Sequence, residues 1–140
     1  MEHEYRHLSK KQFLKFKKEL SENFLVSEKD KNLSCSCGNK DLKEIMMGDG
    51  GLKKQTKTKY TTYENVAWGG ISGKCDKCNN LVWSSWYTWI DETWDDFLKK
   101  KKIKESLSNK EYKKLRKQYK PKRIIFFVSG SEYKDSVAKL

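Results

Sequence analysis

The sequence is short of proline and of long apolar runs, and each shortage excludes a class of protein. One proline in 140 residues argues against a proline-rich linker, so we expect a single domain over residues 1–140. No stretch approaches the ~20 consecutive apolar residues that a membrane span needs, and the N-terminal MEHEYRHLSKK lacks the apolar core of a secretion signal. We therefore expect an intracellular protein without membrane contact, either cytoplasmic or nucleoid-associated.

Catalytic motifs are also scarce. The chain has no glycine pattern of the phosphate-binding or dinucleotide-binding kind. Its two histidines form an H-E-x-x-H pattern, His3-Glu4-Tyr5-Arg6-His7, but this precedes the first predicted helix and has no apolar flank, so we interpret it as chance. Four carboxylates could hold Mg²⁺ for phosphodiester cleavage, although complementarity to a helix dipole explains them more simply: Asp91, Glu92, Asp95 and Asp96. We expect no enzyme, and a metal-dependent nuclease is the less favoured alternative.

The hydrophobic core must be small and aromatic. Leu, Ile, Val and Phe make up 29 of the 140 residues, close to the level below which a highly charged chain stays disordered. Five Trp and seven Tyr add apolar area. A bound metal would help a domain of this size to fold.

Positive charge is concentrated in residues 99–123, which we call the basic block. The formal charge of the whole chain is +12, and the block carries thirteen cations against Glu105 and Glu111. Such a density favours polyanions, so we expect nucleic acid, DNA or RNA, as the partner. A solvated face, an acidic protein or anionic lipid are the alternatives. The cations are Lys99, Lys100, Lys101, Lys102, Lys104, Lys110, Lys113, Lys114, Arg116, Lys117, Lys120, Lys122 and Arg123.

Helix signals occur near both ends of the chain. Ser9 and Gln12 form a capping box, and apolar residues at helical spacing follow, which predicts an N-terminal helix over about residues 10–25 within a segment 9–25. Acidic residues 91–96 followed by lysines, and a second capping box at Ser108 and Glu111, predict a basic helical segment over residues 91–123. Its second helix must end before Pro121.

Strand signals lie between and after these helices. Residues 42–47 and 57–68 are predicted strands, joined by a long hairpin connection made of Gly48-Asp49-Gly50-Gly51 and a run of Lys and Thr. Residues 81–90, LVWSSWYTWI, are predicted as a strand with two faces that need cover. Residues 122–128 are the last predicted strand, and residues 124–140 form the strand and tail that end the chain. The expected fold class is α+β, with a small antiparallel core.

Two close pairs of cysteines are spaced as metal ligands. Cys35 and Cys37 lie in C-S-C-G, and Cys75 and Cys78 in C-D-K-C. Each pair is followed by residues that tolerate a positive φ, Gly38 in the first and Asn79-Asn80 in the second, as in a metal-binding knuckle. Disulfides, a redox dithiol, an iron–sulfur cluster and unrelated thiols are the alternatives.

These knuckles resemble those of the zinc-ribbon class of domains, over about residues 33–90. The resemblance implies two β-hairpin tips that clamp one structural Zn²⁺ with no open coordination position. The first knuckle departs from the usual pattern in having one residue between its cysteines, and the second lacks the customary glycine. The class also implies an accessory or regulatory role in transcription or nucleic-acid processing.

The functional expectation is a zinc-stabilised nucleic-acid-binding protein. Lysine abundance is compatible with an AT-rich genome, such as that of a phage or mobile element. The alternative is a protein-interaction module that binds an acidic partner such as RNA polymerase. Aromatic residues of the ribbon are either core or a surface for stacking unpaired bases. The candidates are Tyr60, Tyr63, Trp68 and Trp86.

Overall fold

The computed structural model describes residues 2–30 and 33–130. Within them the fold is α+β, with an open sheet of six strands and three helices. The tail expected over residues 131–140 lies outside the described part of the chain. In chain order the elements are β1 (Glu2–Arg6), α1 (Lys10–Ser21), β2 (Leu25–Ser27), β3 (Leu42–Gln55), β4 (Lys59–Cys75), β5 (Leu81–Ile90), α2 (Trp94–Lys100), α3 (Asn109–Gln118) and β6 (Arg123–Gly130).

The long strand β4 organises the sheet. One of its edges pairs with β3 along almost its whole length. The other edge pairs first with β1, in parallel from Lys59 to Tyr63, and then with β5, antiparallel from Val66 to Lys74. Strands β6 and β2 extend the sheet beyond β5, so the hydrogen-bonded neighbours run β4-β5-β6-β2, with β1 beside β5 on the same edge of β4 and β3 on the opposite edge.

A buried asparagine closes the gap between β1 and β5 on this edge. The Asn65 side chain is 2% exposed. Its Oδ1 accepts from the Leu8 backbone N–H at 2.9 Å, and its Nδ2 donates to the carbonyls of Leu8 and Ile90, both at 2.9 Å. The Trp89 indole N–H also donates to the Leu8 carbonyl, at 2.8 Å. These bonds satisfy backbone groups that the gap would otherwise leave buried and unpaired.

Helix α1 covers one face of the sheet. The capping box is confirmed, since Ser9 Oγ accepts from the Gln12 backbone N–H and the Ser9 N–H donates to the Gln12 side chain. The helix buries Phe13, Phe16 and Leu20 against the sheet. It ends at Ser21, four residues earlier than predicted. The rings in contact with it are those of Tyr87, Trp89 and Phe126.

Strand β5 forms over residues 81–90 as predicted, but the long connection predicted to begin at Gly48-Asp49-Gly50-Gly51 is wrong at those residues. These residues continue β3 and pair with Gly70 to Ala67 of β4, and the chain turns later, at residues 56–58. The physical reason is space for an aromatic ring. A Cβ at Gly50 would lie 3.2 Å from Nε1 of Trp68, whose indole crosses Gly50 and donates to the Gly51 carbonyl.

The basic helical segment connects β5 to β6, which are neighbours in the sheet. Asp91 ties its two ends together, because its backbone N–H donates to the Lys122 carbonyl and its Oδ1 accepts from the Lys122 N–H. Thr93 and Ser108 cap α2 and α3, and α3 ends before Pro121 as predicted. In the described ranges, no helix is long and apolar enough to cross a bilayer.

We predict that Asn65→Ala lowers the free energy of unfolding by about 2–4 kcal/mol. The substitution removes three hydrogen bonds and leaves the Leu8 N–H and the Ile90 carbonyl without the amide as partner, whereas the Leu8 carbonyl keeps the Trp89 indole. Urea denaturation measures the change. The control is Lys54→Ala on exposed β3, expected to cost within about 0.5 kcal/mol. Equal costs for the two variants would contradict the role of Asn65.

Candidate metal centre

The four cysteines lie at one end of the sheet. The first pair precedes β3, and the second pair lies in the turn from β4 to β5. Because Leu42 at the start of β3 pairs with Cys75 at the end of β4, strand pairing brings the two knuckles together. The sheet thus determines the separation of the two pairs, and local turns determine the direction of each thiol.

The first knuckle is a tight turn over residues 35–39. The Gly38 N–H donates to the Cys35 carbonyl at 2.9 Å, and the Cys35 N–H donates to the Asn39 carbonyl at 3.0 Å. Gly38 has φ +92°, a conformation that a side chain would disfavour. The positive φ predicted at this position is confirmed.

The second knuckle repeats this arrangement with one more residue. The Asn79 N–H donates to the Cys75 carbonyl at 2.8 Å, and the Cys75 N–H donates to the Asn80 carbonyl at 2.9 Å. Asn79 has φ +64°, so asparagine takes the role that Gly38 has in the first knuckle. The first knuckle therefore differs from the second in having a turn that is one residue shorter. In both knuckles the residue after the second cysteine has a left-handed conformation.

Together the knuckles bring four sulfur atoms into one cluster. All four Sγ atoms lie within 4.8 Å of one another. Two close approaches join cysteines of different knuckles, 3.1 Å between Cys35 and Cys78 and 3.6 Å between Cys37 and Cys75. Cys35 and Cys75 are buried, whereas Cys37 and Cys78 are exposed, and all four are free thiols. The cluster is placed to hold a metal ion.

Asn39 connects the two knuckles, and the sequence analysis did not identify it. Its buried Nδ2 donates to Cys75 Sγ at 3.4 Å and to Asp76 Oδ1 at 3.1 Å, and its Oδ1 accepts from the Asp41 N–H. The only sequence signal is an asparagine directly after the glycine of the first knuckle. Such a hydrogen bond to a ligand sulfur orients the ligand and stabilises its thiolate.

The thiols do not share one pKa. Hydrogen bonds from the Asn39 side chain and from the backbone N–H groups of Cys78 and Lys77 lower the pKa of Cys75 to about 6. The adjacent Cys35 thiol raises the pKa of Cys78 to about 12. Four thiolates this close repel one another, so a cation among them is what allows all four to be ionised together.

The other metal-ligand candidates have different partners. The H-E-x-x-H residues form β1 and its end, where His3 stacks on Tyr60 and His7 hydrogen-bonds Asp96. Asp91 binds the Lys122 backbone. Over residues 2–30 and 33–130, the four cysteines form the only group of three or more His, Cys, Asp or Glu residues that could share a metal ion.

The basic block lies at the opposite end of the sheet from the cysteines. Strand β5 begins just after the second knuckle and ends just before α2, so its ten residues, about 33 Å, separate the two features. All thirteen cations of the block are exposed. Among the described residues, none of them forms an ion pair with a carboxylate.

The four candidate stacking aromatics occupy different environments. Tyr63 and Trp68 pack against the core cluster on the α1 side of the sheet. Tyr60 is stacked on His3, with ring centroids 5.5 Å apart. Trp86 lies across Gly69, outside the core clusters of the described chain.

No family model, curated protein or solved structure matches this chain. The described chain has an α+β fold with a four-cysteine cluster placed to hold a metal ion at one end of its sheet and the basic block at the other.

We predict that Asn39→Ala weakens metal binding by about 10- to 100-fold while keeping all four thiols, because Cys75 loses its side-chain donor. Co²⁺ titration, followed by thiolate-to-metal absorption, measures the affinity. Asn80→Ala is the matched control. Asn80 holds the equivalent place in the second knuckle, but the bond it makes there is through its backbone carbonyl. Equal affinities of the two variants would show that the Asn39 side chain does not position the site.

Proposed function

We propose that this protein is a zinc-stabilised nucleic-acid-binding protein that acts as an accessory or regulatory factor in transcription or nucleic-acid processing. The observation that carries the proposal is the basic block, whose thirteen exposed cations have no acidic partner among the described residues. Exposed cations without a carboxylate partner attract a polyanion, and binding releases the counterions of that polyanion.

The geometry of the sulfur cluster supports zinc as the metal. A tetrahedral Zn²⁺ site with Zn–S bonds of about 2.3 Å has sulfur atoms about 3.8 Å apart. The separations of 3.1 and 3.6 Å, and the limit of 4.8 Å for the whole group, lie around that value. Four protein thiolates fill the coordination shell, so the ion would be structural, as the resemblance to zinc ribbons implies.

The apolar surroundings also support a structural role for the metal. Cys35, Cys75 and Val82 form a small buried cluster of their own, with Leu33 and Leu42 packed against it. This cluster is separate from the main core under α1. A metal would hold together the end of the sheet that the main core does not reach.

We predict one zinc ion per chain in native mass spectrometry of the purified protein. Removal of zinc by a chelator, or Cys78→Ser, is expected to loosen the knuckles and the adjacent strand ends, because the thiolates then repel without a cation. Hydrogen exchange at Cys75 and Leu42 measures this loosening, and Phe126 in the main core is the internal control. A folded, metal-free protein with protected knuckles would contradict the proposal.

Two further features of the basic block support the proposal: one lysine in a strained backbone conformation and one arginine held by aromatic rings. The first is Lys102, which follows α2 with φ +59°, where glycine is the favoured residue. Its N–H donates to the Lys99 carbonyl, and the Ile103 N–H donates to the Leu98 carbonyl, which ends the helix. A lysine here costs about 1 kcal/mol relative to glycine, yet it adds a charge to the block.

The second feature is Arg116, whose guanidinium is ordered by aromatic rings. Its Cζ lies 4.1 Å from the ring centroid of Trp94 and 5.2 Å from that of Tyr112, and its Nε donates to the Tyr112 hydroxyl at 2.9 Å. Stacking and one hydrogen bond leave the terminal nitrogens as an oriented fork. Such a fork suits a phosphate group, because less side-chain entropy is lost on binding.

We predict that Lys113, Lys114 and Lys117 changed together to Gln weaken nucleic-acid binding and flatten its salt dependence. If each lysine neutralises a phosphate, the slope of log K against log salt falls by up to about 2.7 in magnitude for a duplex. Fluorescence anisotropy between about 50 and 200 mM salt measures it. The matched control changes three exposed lysines of α1, Lys11, Lys15 and Lys18, to Gln.

If both triple variants bind with the wild-type slope, the basic block is not the contact. If this protein binds an acidic protein such as RNA polymerase and does not bind nucleic acid, the result would favour an interaction module instead. Equal losses in the two triple variants would indicate a general effect of net charge and would also contradict a specific role for the block.

A further inference from the structure

Part of one face of the sheet lies outside both core clusters of the described residues. Side chains alternate between the faces of a strand. On β5, Trp83, Tyr87 and Trp89 belong to the core cluster under α1, so Trp86 lies on the opposite face. On β6, Phe126 and Val128 belong to that cluster, so Phe127 also lies on the opposite face.

At the cysteine end of this second face, Val82 and Ser84 of β5 are buried. The part of the face beyond them, which we call the open face, consists of Gly69, Ile71, Trp86, Ile125 and Phe127. Trp86 pairs directly with Phe127 on β6 and with Gly69 on β4, so the two rings are cross-strand neighbours beside a residue without a side chain. Ile125 is 45% exposed, and the two rings are partly exposed. Over residues 2–30 and 33–130, no ring contact or core cluster includes Trp86 or Phe127.

The position of the Trp86 ring depends on Gly69. A Cβ at Gly69 would overlap the ring, with Cε2 at 2.5 Å, so the indole lies directly over the glycine backbone. The β4 backbone beneath therefore supports the indole. A flat, supported and partly exposed ring is what a nucleic-acid base needs for stacking.

Positive charge continues from the basic block onto the open face. Arg123 begins β6 on this face, two residues before Ile125 and four before Phe127, and its side chain is exposed. Four residues of strand span about 13 Å. The acidic residue Asp49 pairs with Gly69 at the β3 border of the face, so the β6 side is the one that favours phosphates.

From this arrangement we propose that the open face stacks unpaired bases on Trp86 and Phe127, and that the ligand of the protein is single-stranded nucleic acid. The inference rests on the proposed function, since the phosphates of the same strand contact Arg123 and the basic block. A duplex would not use the rings, because its bases are already stacked on one another. Charge at the border of the face argues for a nucleic-acid strand over a second copy of this basic chain.

The test compares two tryptophans that have matching structural roles. Trp86 covers Gly69 on the open face, and Trp68 covers Gly50 on the side that α1 packs against. Each is changed to Leu, so both variants lose an indole that covers a glycine. Anisotropy measures affinity for an oligothymidylate of about 15 nucleotides and for a duplex of the same length.

We expect Trp86→Leu to weaken binding of the single strand by about 5- to 100-fold and to leave duplex binding unchanged. Trp68→Leu should alter neither affinity. Phe127→Leu, which keeps an apolar side chain without a ring, is the second variant if Trp86→Leu does not fold, and it is expected to have the same selective effect.

The outcomes separate this inference from the proposed function. If the lysine variants of the basic block weaken binding but the Trp86 and Phe127 variants bind the single strand as the wild type does, the open face is not the base site and the proposed function stands. If the lysine variants bind nucleic acid as the wild type does, the proposed role of the basic block is wrong, and the inference that rests on it is wrong as well. A wild-type dimer that Trp86→Leu converts to a monomer would overturn the inference, since a second copy would then cover the face.

Discussion

The arrangement of this protein depends on the hydrogen bonds of one buried amide. Strands β1 and β5 share an edge of β4, and the Asn65 side chain fills the gap where both end. Because its side chain bonds both the N–H and the carbonyl of Leu8, Asn65 determines where the N-terminal chain leaves the sheet and enters α1. By holding the Ile90 carbonyl, it also determines where β5 ends and the basic helical segment begins. An amide can meet these donors and acceptors together, and an apolar residue could meet none.

The two features that carry the proposed function then take opposite ends of the sheet. The cysteine knuckles follow from the register of β3 on β4, in which Leu42 pairs with Cys75. The basic block follows from the ends of β5 and β6, which Asp91 and Lys122 tie together. This separation keeps the cysteine cluster away from the basic block. The proposed stabilisation by metal and the proposed binding of nucleic acid therefore belong to different ends of the sheet. We expect substitutions at one end to leave the other end intact.

Local signals predicted the local structure well. The capping residues Ser9 and Ser108 begin helices where expected, because the hydroxyl and backbone groups that form a cap lie within three residues of each other. Gly38 and Asn79 have the positive φ that a knuckle requires. The cysteine spacing likewise predicted the sulfur cluster. Asn39 was missed because its partners Cys75 and Asp76 lie more than 35 residues away in sequence.

The failed predictions concern contacts between strands that no local pattern reports. A run of glycines indicates a turn, yet Gly50 lies inside β3 because the Trp68 ring crosses it. Trp83 crosses Gly130 on β6 in the same way. Each of these glycines is a gap in one strand that a ring from the next strand fills, and a sequence alone does not tell which ring meets which glycine. Trp86 lies over Gly69 in the same way on the face opposite α1, so the constraint that packs rings into the core also holds one ring flat outside it.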